Sequence, residues 1–441
     1  MTAIERALLP TKATCITPAR RLVGEVRVPG DKSISHRAAI IASLARDTSV
    51  LKNFSTAEDC DATVACLRAL GVKVNRSDST LTIEGAPGIL KQPQQVLDAH
   101  NSGTTMRLLA GLLAGQPFES EITGDASLLS RPMTRVAEPL RLMGAKCETL
   151  ATGKGPLRIR GRRPLTAIEY RPDAASAQIK SAILLAGLFA DSKTTVIEPT
   201  ATRDHTERLL SEFGAEISGE GKSVSVKGGS HLTAREFAIP GDVSSAAFFI
   251  GAAVALNEST LTICDVGLNP TRTAFLPVLR QMGADINIRT ERIKGGEPIG
   301  TIHVRRRNFA QAPVLVLSGE VIPHVIDELP LLAVIAATRQ CTLEVRDAAE
   351  LRFKESDRIA ATVQNLRAMG ATVDEHDDGF TVRGRAHLRG AQLHSFDDHR
   401  IAMAFTVAAL SADGPSEIVG AECVAVSFPQ FYELLESVIE E

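Results

Sequence analysis

The chain has 441 residues, 44% of them hydrophobic, and a formal net charge of −3 at pH 7. That length can bury large cores in two or three domains, and the charge offers no basic surplus for nucleic acid. Two tyrosines, no tryptophan and seven cysteines without a Cys-x-x-Cys pair leave few platforms for stacking bases and no zinc signature, and they fit a reducing cytoplasm.

In chain order, the opening MTAIERALLPTKATC lacks the apolar core of a signal peptide, so nothing there directs the chain elsewhere. In VPGDKSISHRAAI, from Val28 to Ile40, Pro29 and Gly30 break a strand. Asp31 or Ser33 can then cap a helix whose apolar stripe is Ile34, Ala38, Ile41 and Ala45. Free N–H groups and the positive end of the helix dipole draw Lys32, Ser33 and Arg37 toward one anion, a phosphate or a carboxylate. An ordinary capped surface helix with solvated cations is the alternative. Asp31 between Gly30 and Lys32 excludes a Walker A loop, and no dinucleotide fingerprint follows a strand. Cys60 and Cys66 have no histidine or cysteine near them in sequence and read as small buried hydrophobes.

From there a repeat runs through the chain: Leu67-Arg-Ala-Leu-Gly-Val, Leu140-Arg-Leu-Met-Gly-Ala, Leu210-Ser-Glu-Phe-Gly-Ala, Leu279-Arg-Gln-Met-Gly-Ala and Leu366-Arg-Ala-Met-Gly-Ala. Each predicts a helix end closed by Gly71, Gly144, Gly214, Gly283 or Gly370, with short strands such as 80–83 and 379–382 after it. A sixth helix is due over 431–438, where the glycine is missing. The apolar stretches 181–190 and 245–256 are too short to span a bilayer. Ile239-Pro-Gly-Asp242 echoes Val28-Pro-Gly-Asp31, which predicts two crossings between duplicated halves able to close on a ligand. A single large α/β domain is the competing architecture.

Four further segments join cations to small residues near predicted turns or helix starts: Asn101-Ser-Gly-Thr-Thr-Met-Arg107, Asp125 to Pro132, Leu351-Arg-Phe-Lys-Glu-Ser-Asp-Arg358 and Asp397-Asp-His-Arg400. In the third, Lys354 and Arg358 are expected at i,i+4 on one helical face with Glu355 beside them. Each segment alone reads better as a solvated salt-bridge cluster, but five across a hinged repeat shift the balance toward an anion site.

GDKSISHRA, NSGTTMRLLAG, GDASLLSRPM, LRFKESDRI and FDDHRIAMAF, in this order and over nearly the whole chain, resemble the 5-enolpyruvylshikimate-3-phosphate synthases of the enolpyruvyl transferase family. The resemblance implies an inside-out α/β fold in two domains, each of three βαβαββ units. One is built from 1–27 and 241–441, the other from the inserted 28–240. It implies transfer of the enolpyruvyl group of phosphoenolpyruvate to the 5-hydroxyl of shikimate 3-phosphate, by a cytoplasmic monomer without cofactor or metal. Shikimate 3-phosphate would be held by Lys32, Ser33, Arg37, Ser176, Ala177, Gln178, Arg203, Asp327 and Lys354. Phosphoenolpyruvate, and the inhibitor glyphosate that mimics it, would meet Lys32, Gly103, Arg131, Gln178, Arg358 and Arg400. Asp327 matches the base that takes the 5-hydroxyl proton; Glu355 matches a proton donor to the methylene carbon, with Lys32 a second candidate. One departure stands out: where many relatives carry a lysine two residues before Phe428-Pro429, this chain has Val426. The related transferase acting on a UDP-amino sugar is a rival, though its reactive cysteine loop is missing. A noncatalytic anion binder is another, disfavoured by the pair Asp327 and Glu355.

Overall fold

The structure, a computed structural model, describes residues 13–88, 90–307, 313–384 and 387–440. Residues 1–12 and 441, which fall within the expected segments 1–27 and 241–441, lie outside the described residues.

The Leu-x-x-x-Gly repeat is a helix stop. Helices Glu58–Ala69, Thr134–Leu142, His205–Glu212, Phe275–Gln281 and Arg358–Ala368 are each followed, two residues on, by a glycine with φ of 82°, 92°, 96°, 93° and 83° in turn. A side chain resists that left-handed backbone. In four of the five, the residue after the glycine donates its N–H to the leucine carbonyl, as Val72 does to Leu67 at 3.1 Å, while the glycine N–H closes the inner bond, Gly71 to Arg68 at 2.9 Å. The leucine and the small residue after the glycine are thus the two apolar positions of a Schellman cap. The expected sixth helix is present as Phe431–Glu436, and the chain runs from it into strand Ile439–Glu440.

Among the described residues the strands form six sheets, and a common order recurs. In Leu97–Asp98, Glu119–Thr123, Lys146–Glu148 and Leu157–Arg160, the first two strands are parallel, and the fourth lies antiparallel between the second and the third. Two sheets complete this order with remote chain. Glu236–Ala238 pairs in parallel with Thr48–Lys52, and Arg21–Val26 pairs in parallel with Thr260–Gly267. The apolar interior falls into two clusters. One runs from Ile34 to Ile239; the other collects Leu22, Val26 and Val28 with Val243 to Val438.

Each cluster is built around three helices buried on nearly all sides past their first turn: Lys32–Ala42, Gly103–Ala114 and Ala177–Gly187 in the first, Val243–Ala255, Leu329–Thr338 and His399–Leu410 in the second. Sheets and neighbouring helices cover them, and their charged residues gather near the N-terminal ends. A Cβ at Gly111 would lie 2.2 Å from the Ala182 carbonyl oxygen, so only glycine permits that helix–helix approach. Ala45 of the expected stripe is buried but falls beyond the helix end at Ala42. The stretches 181–190 and 245–256 are buried core helices, and among the described residues no single helix is long and apolar enough to cross a membrane.

The chain passes between the clusters at 28–31 and 239–242, where the segments pair with each other. Asp31 N–H donates to Pro240 O at 2.8 Å and Asp242 N–H to Pro29 O at 2.9 Å, with Gly30 opposite Gly241. A Cβ on Gly30 would lie 1.8 Å from the Asn53 carbonyl oxygen.

Candidate active site

Five of the six central helices carry a side-chain N-cap, from Asp31, Ser102, Ser176, Asp242 and Asp398. Around four of these starts and the Asp327–Glu328 start of Leu329–Thr338 lies one cleft with walls from both clusters. One wall carries Lys32, Ser33, Arg37, Gly103, Arg131, Ser176, Ala177, Gln178 and Arg203; the other carries Asp327, Lys354, Glu355, Arg358 and Arg400. The structure therefore places every residue expected to bind substrate or act in catalysis around one cavity. Nine lysine and arginine side chains and five carboxylates line it, a surplus of four positive charges. Helix N-termini add partial positive charge to the same space.

On the first wall, Lys32 Nζ lies 2.7 Å from Asp59 Oδ2. Burial opposes the ammonium, but the Asp59 carboxylate outweighs it and holds the lysine pKa above its ordinary value. Arg37 is held by neutral acceptors: Nε to Thr206 Oγ1 at 2.7 Å, Nη1 to Ser33 O at 2.9 Å and Nη2 to Ser181 Oγ at 2.9 Å. Burial lowers its pKa to about 10. Gln178 donates to Thr104 Oγ1 at 2.9 Å and accepts from Arg107 Nη1 at 2.7 Å. Arg131 donates to Asn101 Oδ1 at 2.6 Å and reaches across the cleft to Glu355 Oε1 at 3.6 Å.

On the second wall, Asp327 is the focus of five cations. Arg203 comes from the opposite wall to bond its Oδ2. Arg358 Nη1 lies 3.2 Å from Oδ1 and Lys354 Nζ 3.8 Å from it; Arg400 and Arg272 each lie 3.9 Å from Oδ2. Burial penalises the Asp327 charge, but Arg400, Arg203 and Lys354 together outweigh it and hold the carboxyl well below the usual carboxylate range. Glu355 is likewise well below its ordinary value: burial opposes ionisation, and Arg358 at 2.6 Å, then Arg131, overcome it. Both carboxyls are ionised at neutral pH. Arg358, 1% exposed, is anchored behind the cleft by Asp398, with Nε to Oδ2 at 2.7 Å. Burial, then nearby Lys32, lowers the His399 pKa to about 4, so the imidazole facing the cleft is neutral.

The structure corrects one expectation. Lys354 and Arg358 do not share a helical face: a 3₁₀ turn covers Ala349–Phe353, Lys354 is extended, and the helix begins at Arg358 because Asp357 caps it by accepting from Ala360 N at 3.0 Å. The two cations meet through Asp327 instead. Sequence reasoning also passed over Asp59, Arg107, Arg135, Glu350 and His399, all lining the cleft. Arg107 had a signal, one helical turn after Gly103 in a quoted segment; Asp59 had none. Val426 ends a 3₁₀ turn over Ala421–Val426 and does not line the cleft. Among the described residues no three His, Cys, Asp or Glu side chains gather as metal ligands would.

Known proteins resemble this chain over nearly its whole length. The model of the family described as EPSP synthase (3-phosphoshikimate 1-carboxyvinyltransferase) matches residues 16–435. A 3-phosphoshikimate 1-carboxyvinyltransferase of Desulforudis audaxviator is 52% identical over 425 residues, covering 96% of this chain and 98% of the relative. One of Koribacter versatilis is 48% identical, covering 97% of this chain and all of the relative. A solved EPSP synthase from Acinetobacter baumannii is 42% identical with a TM-score of 0.86, covering 97% of this chain and 98% of that one.

Proposed function

This chain belongs to the EPSP synthase family, and on that premise we propose how its cleft works. The chain is a transferase of the shikimate pathway to the aromatic amino acids, moving the enolpyruvyl group of phosphoenolpyruvate to shikimate 3-phosphate with release of phosphate. The observation that carries the reading of the site is the cationic cleft with two ionised carboxylates, Asp327 and Glu355, on one wall.

Lys32, Ser33, Arg37, Ser176, Gln178, Arg203 and Lys354 hold shikimate 3-phosphate, while Lys32, Arg131, Arg358 and Arg400 hold phosphoenolpyruvate against the start of the Gly103 helix. Guanidinium forks suit a ligand that carries both a phosphate and a carboxylate. Asp327 takes the proton of the 5-hydroxyl as that oxygen bonds to C2 of phosphoenolpyruvate, and Glu355 gives a proton to the methylene carbon. The resulting tetrahedral intermediate loses phosphate and a proton from the new methyl group, which restores the double bond. A carboxyl can donate only when protonated, and Glu355 is ionised in the free enzyme. The substrates provide the change: as their anions engage Arg358 and Arg131, the charges holding Glu355 ionised are compensated and its pKa rises. This reading asks for no cofactor and no metal.

Residues 28–240 form one closing body, and 1–27 with 241–441 the other. The paired glycines at 30 and 241 support a hinge there. Both walls come from one chain, which supports a monomer, and seven free cysteines support a reducing cytoplasm. Incubating the protein with both substrates and following phosphate release tests the function; release that needs both substrates is the expected result. Release from phosphoenolpyruvate with a UDP-amino sugar instead, or none at all, would support the rival transferase or the anion binder.

A further inference from the structure

Arg272 stands in a turn that no sequence motif singled out, Leu268-Asn-Pro-Thr-Arg272, where its N–H closes back on Asn269 O at 2.9 Å. Its side chain is 3% exposed and does not line the cleft. Nη2 donates to Ser244 Oγ and lies 3.6 Å from Oδ1 of Asp242, the hinge carboxylate whose Oδ2 also accepts the Lys32 backbone N–H at 3.3 Å. Nε and Nη1 are buried without a hydrogen-bond partner, and Nη1 lies 3.9 Å from Asp327 Oδ2. A buried guanidinium with unmet donors is costly. The acceptor those donors face is occupied: Arg203, from the opposite wall, bonds Asp327 Oδ2.

Four of the five cations around Asp327, namely Arg203, Lys354, Arg358 and Arg400, line the cleft where a ligand anion would lie; Arg272 does not. When substrates compensate those four, Arg272 is the cation whose charge stays committed to the protein. We propose that Arg272 is a positioning residue for Asp327, taking the carboxylate oxygen that Arg203 gives up when Arg203 turns to the substrate phosphate. It thereby keeps the base ionised and aimed in the loaded cleft, and ties it through Asp242 to the hinge. The other charges facing the pair are Glu328, whose Oε1 accepts from Ser244 Oγ at 2.5 Å and from Arg400 at 3.3 Å, Asp31 behind Asp242, and Glu355 on Arg358.

The inference rests on Asp327 being the base, and the experiment separates the two. Turnover is measured against pH for wild type, Arg272→Gln, Arg272→Lys and Asp327→Asn. Loss of an opposite charge at this distance raises a carboxyl pKa by about 1–3 units. The acid limb of kcat in Arg272→Gln is therefore expected to move up in pH by about that much, with activity recovering on the alkaline side and KM for shikimate 3-phosphate little changed. Arg272→Lys, which keeps the charge, should move it less. A kcat lowered equally at every pH, with the limb in place, would mean a merely structural role and overturn the proposal. If Asp327→Asn kept wild-type turnover and the same acid limb, the base assignment itself would fail. A crystal structure of the wild type with shikimate 3-phosphate decides the matter even if Arg272→Gln does not fold. Arg272 Nη1 within about 3.2 Å of Asp327 is expected; Arg203 still on Oδ2, with Arg272 no closer than before, would overturn it.

Discussion

Asp398 makes a strong test of how the cleft is held, because it is 0% exposed and does two jobs. Its Oδ2 accepts from Arg358 Nε at 2.7 Å and from Ser356 Oγ at 3.1 Å, while Oδ1 accepts from Arg358 Nη2 at 3.2 Å and from the Arg400 backbone N–H at 2.9 Å, the cap of His399–Leu410. In Asp398→Asn the shape survives, but one oxygen becomes an amide donor facing either the guanidinium or the helix N–H. Breaking a buried ion pair costs about 3–5 kcal/mol when the survivor is left uncompensated. Arg358 keeps Glu355 at 2.6 Å and Asp327 at 3.2 Å, so the loss falls at the low end, about 3 kcal/mol. Asp398→Ala also removes the cap and should cost about 1 kcal/mol more. Urea unfolding at pH 7 followed by circular dichroism, with equal slopes required before midpoints are compared, measures both. Burial penalises the Asp398 charge and Arg358 outweighs that, so the folded-state pKa lies below its ordinary value. The contribution is therefore full above the unfolded value, near 3.9, and the gap to the variants should shrink as pH falls through the folded value. An Asn variant within 1 kcal/mol of wild type, or an Ala variant no worse than Asn, would refute this account.

Asp327→Asn should lower turnover by about two orders of magnitude while leaving shikimate 3-phosphate binding intact or tighter, since the five surrounding cations lose their internal counterion; calorimetry showing weakened binding would contradict that. Saturating shikimate 3-phosphate should reduce the radius of gyration as the halves close about 28–31 and 239–242, and an unchanged small-angle scattering curve would count against a hinge. Gly103→Ala places a Cβ 2.6 Å from Arg107 Nη1 and 3.4 Å from Arg131 Nη1, so it displaces the guanidinium tips before it meets ligand. With overpacking costing about 1–3 kcal/mol, the glyphosate inhibition constant should rise far more than KM for the smaller phosphoenolpyruvate; proportional rises in both would remove Gly103 from the discrimination.

What was legible in the sequence is what a few neighbouring residues determine. Leu67, Gly71 and Val72 make a Schellman cap among themselves, so five helix ends could be read directly. The buried central helices were visible in part as short hydrophobic runs, and their capping residues stand beside the cations they help to place. Local spacing misled at Lys354 and Arg358, because the Asp357 cap starts the helix at Arg358, at least four residues later than the charge spacing suggested. Long-range partners carried no such signal. Lys32 meets Asp59 across 27 residues and Arg203 meets Asp327 across 124; the first pair needs helix Glu58–Ala69 packed on Lys32–Ala42, and the second needs the two halves packed across the hinge.

That packing gives the cleft an electrostatic logic. Without ligand, five of its nine positive charges are balanced by its own carboxylates, Asp327 and Glu355 among them occupying cations that substrate anions are read to need, and a surplus of four remains. Shikimate 3-phosphate and phosphoenolpyruvate each bring about three negative charges at neutral pH, a phosphate of nearly two and a carboxylate, which turns the surplus into a deficit. Lys32, Arg131, Lys354, Arg358 and Arg400 would then be shared between ligand and protein, and a net negative cleft favours protons over bare carboxylates. The two acids diverge under that change because their reserves differ. Glu355 is held ionised chiefly by Arg358 and Arg131, both of which line the cleft, so under the proposed mechanism bound anions would remove the charges that keep it ionised and let it serve as the acid. Asp327 also has Arg272, a buried cation that does not line the cleft, and under the proposed mechanism that cation would let it remain the base while its neighbour takes up a proton.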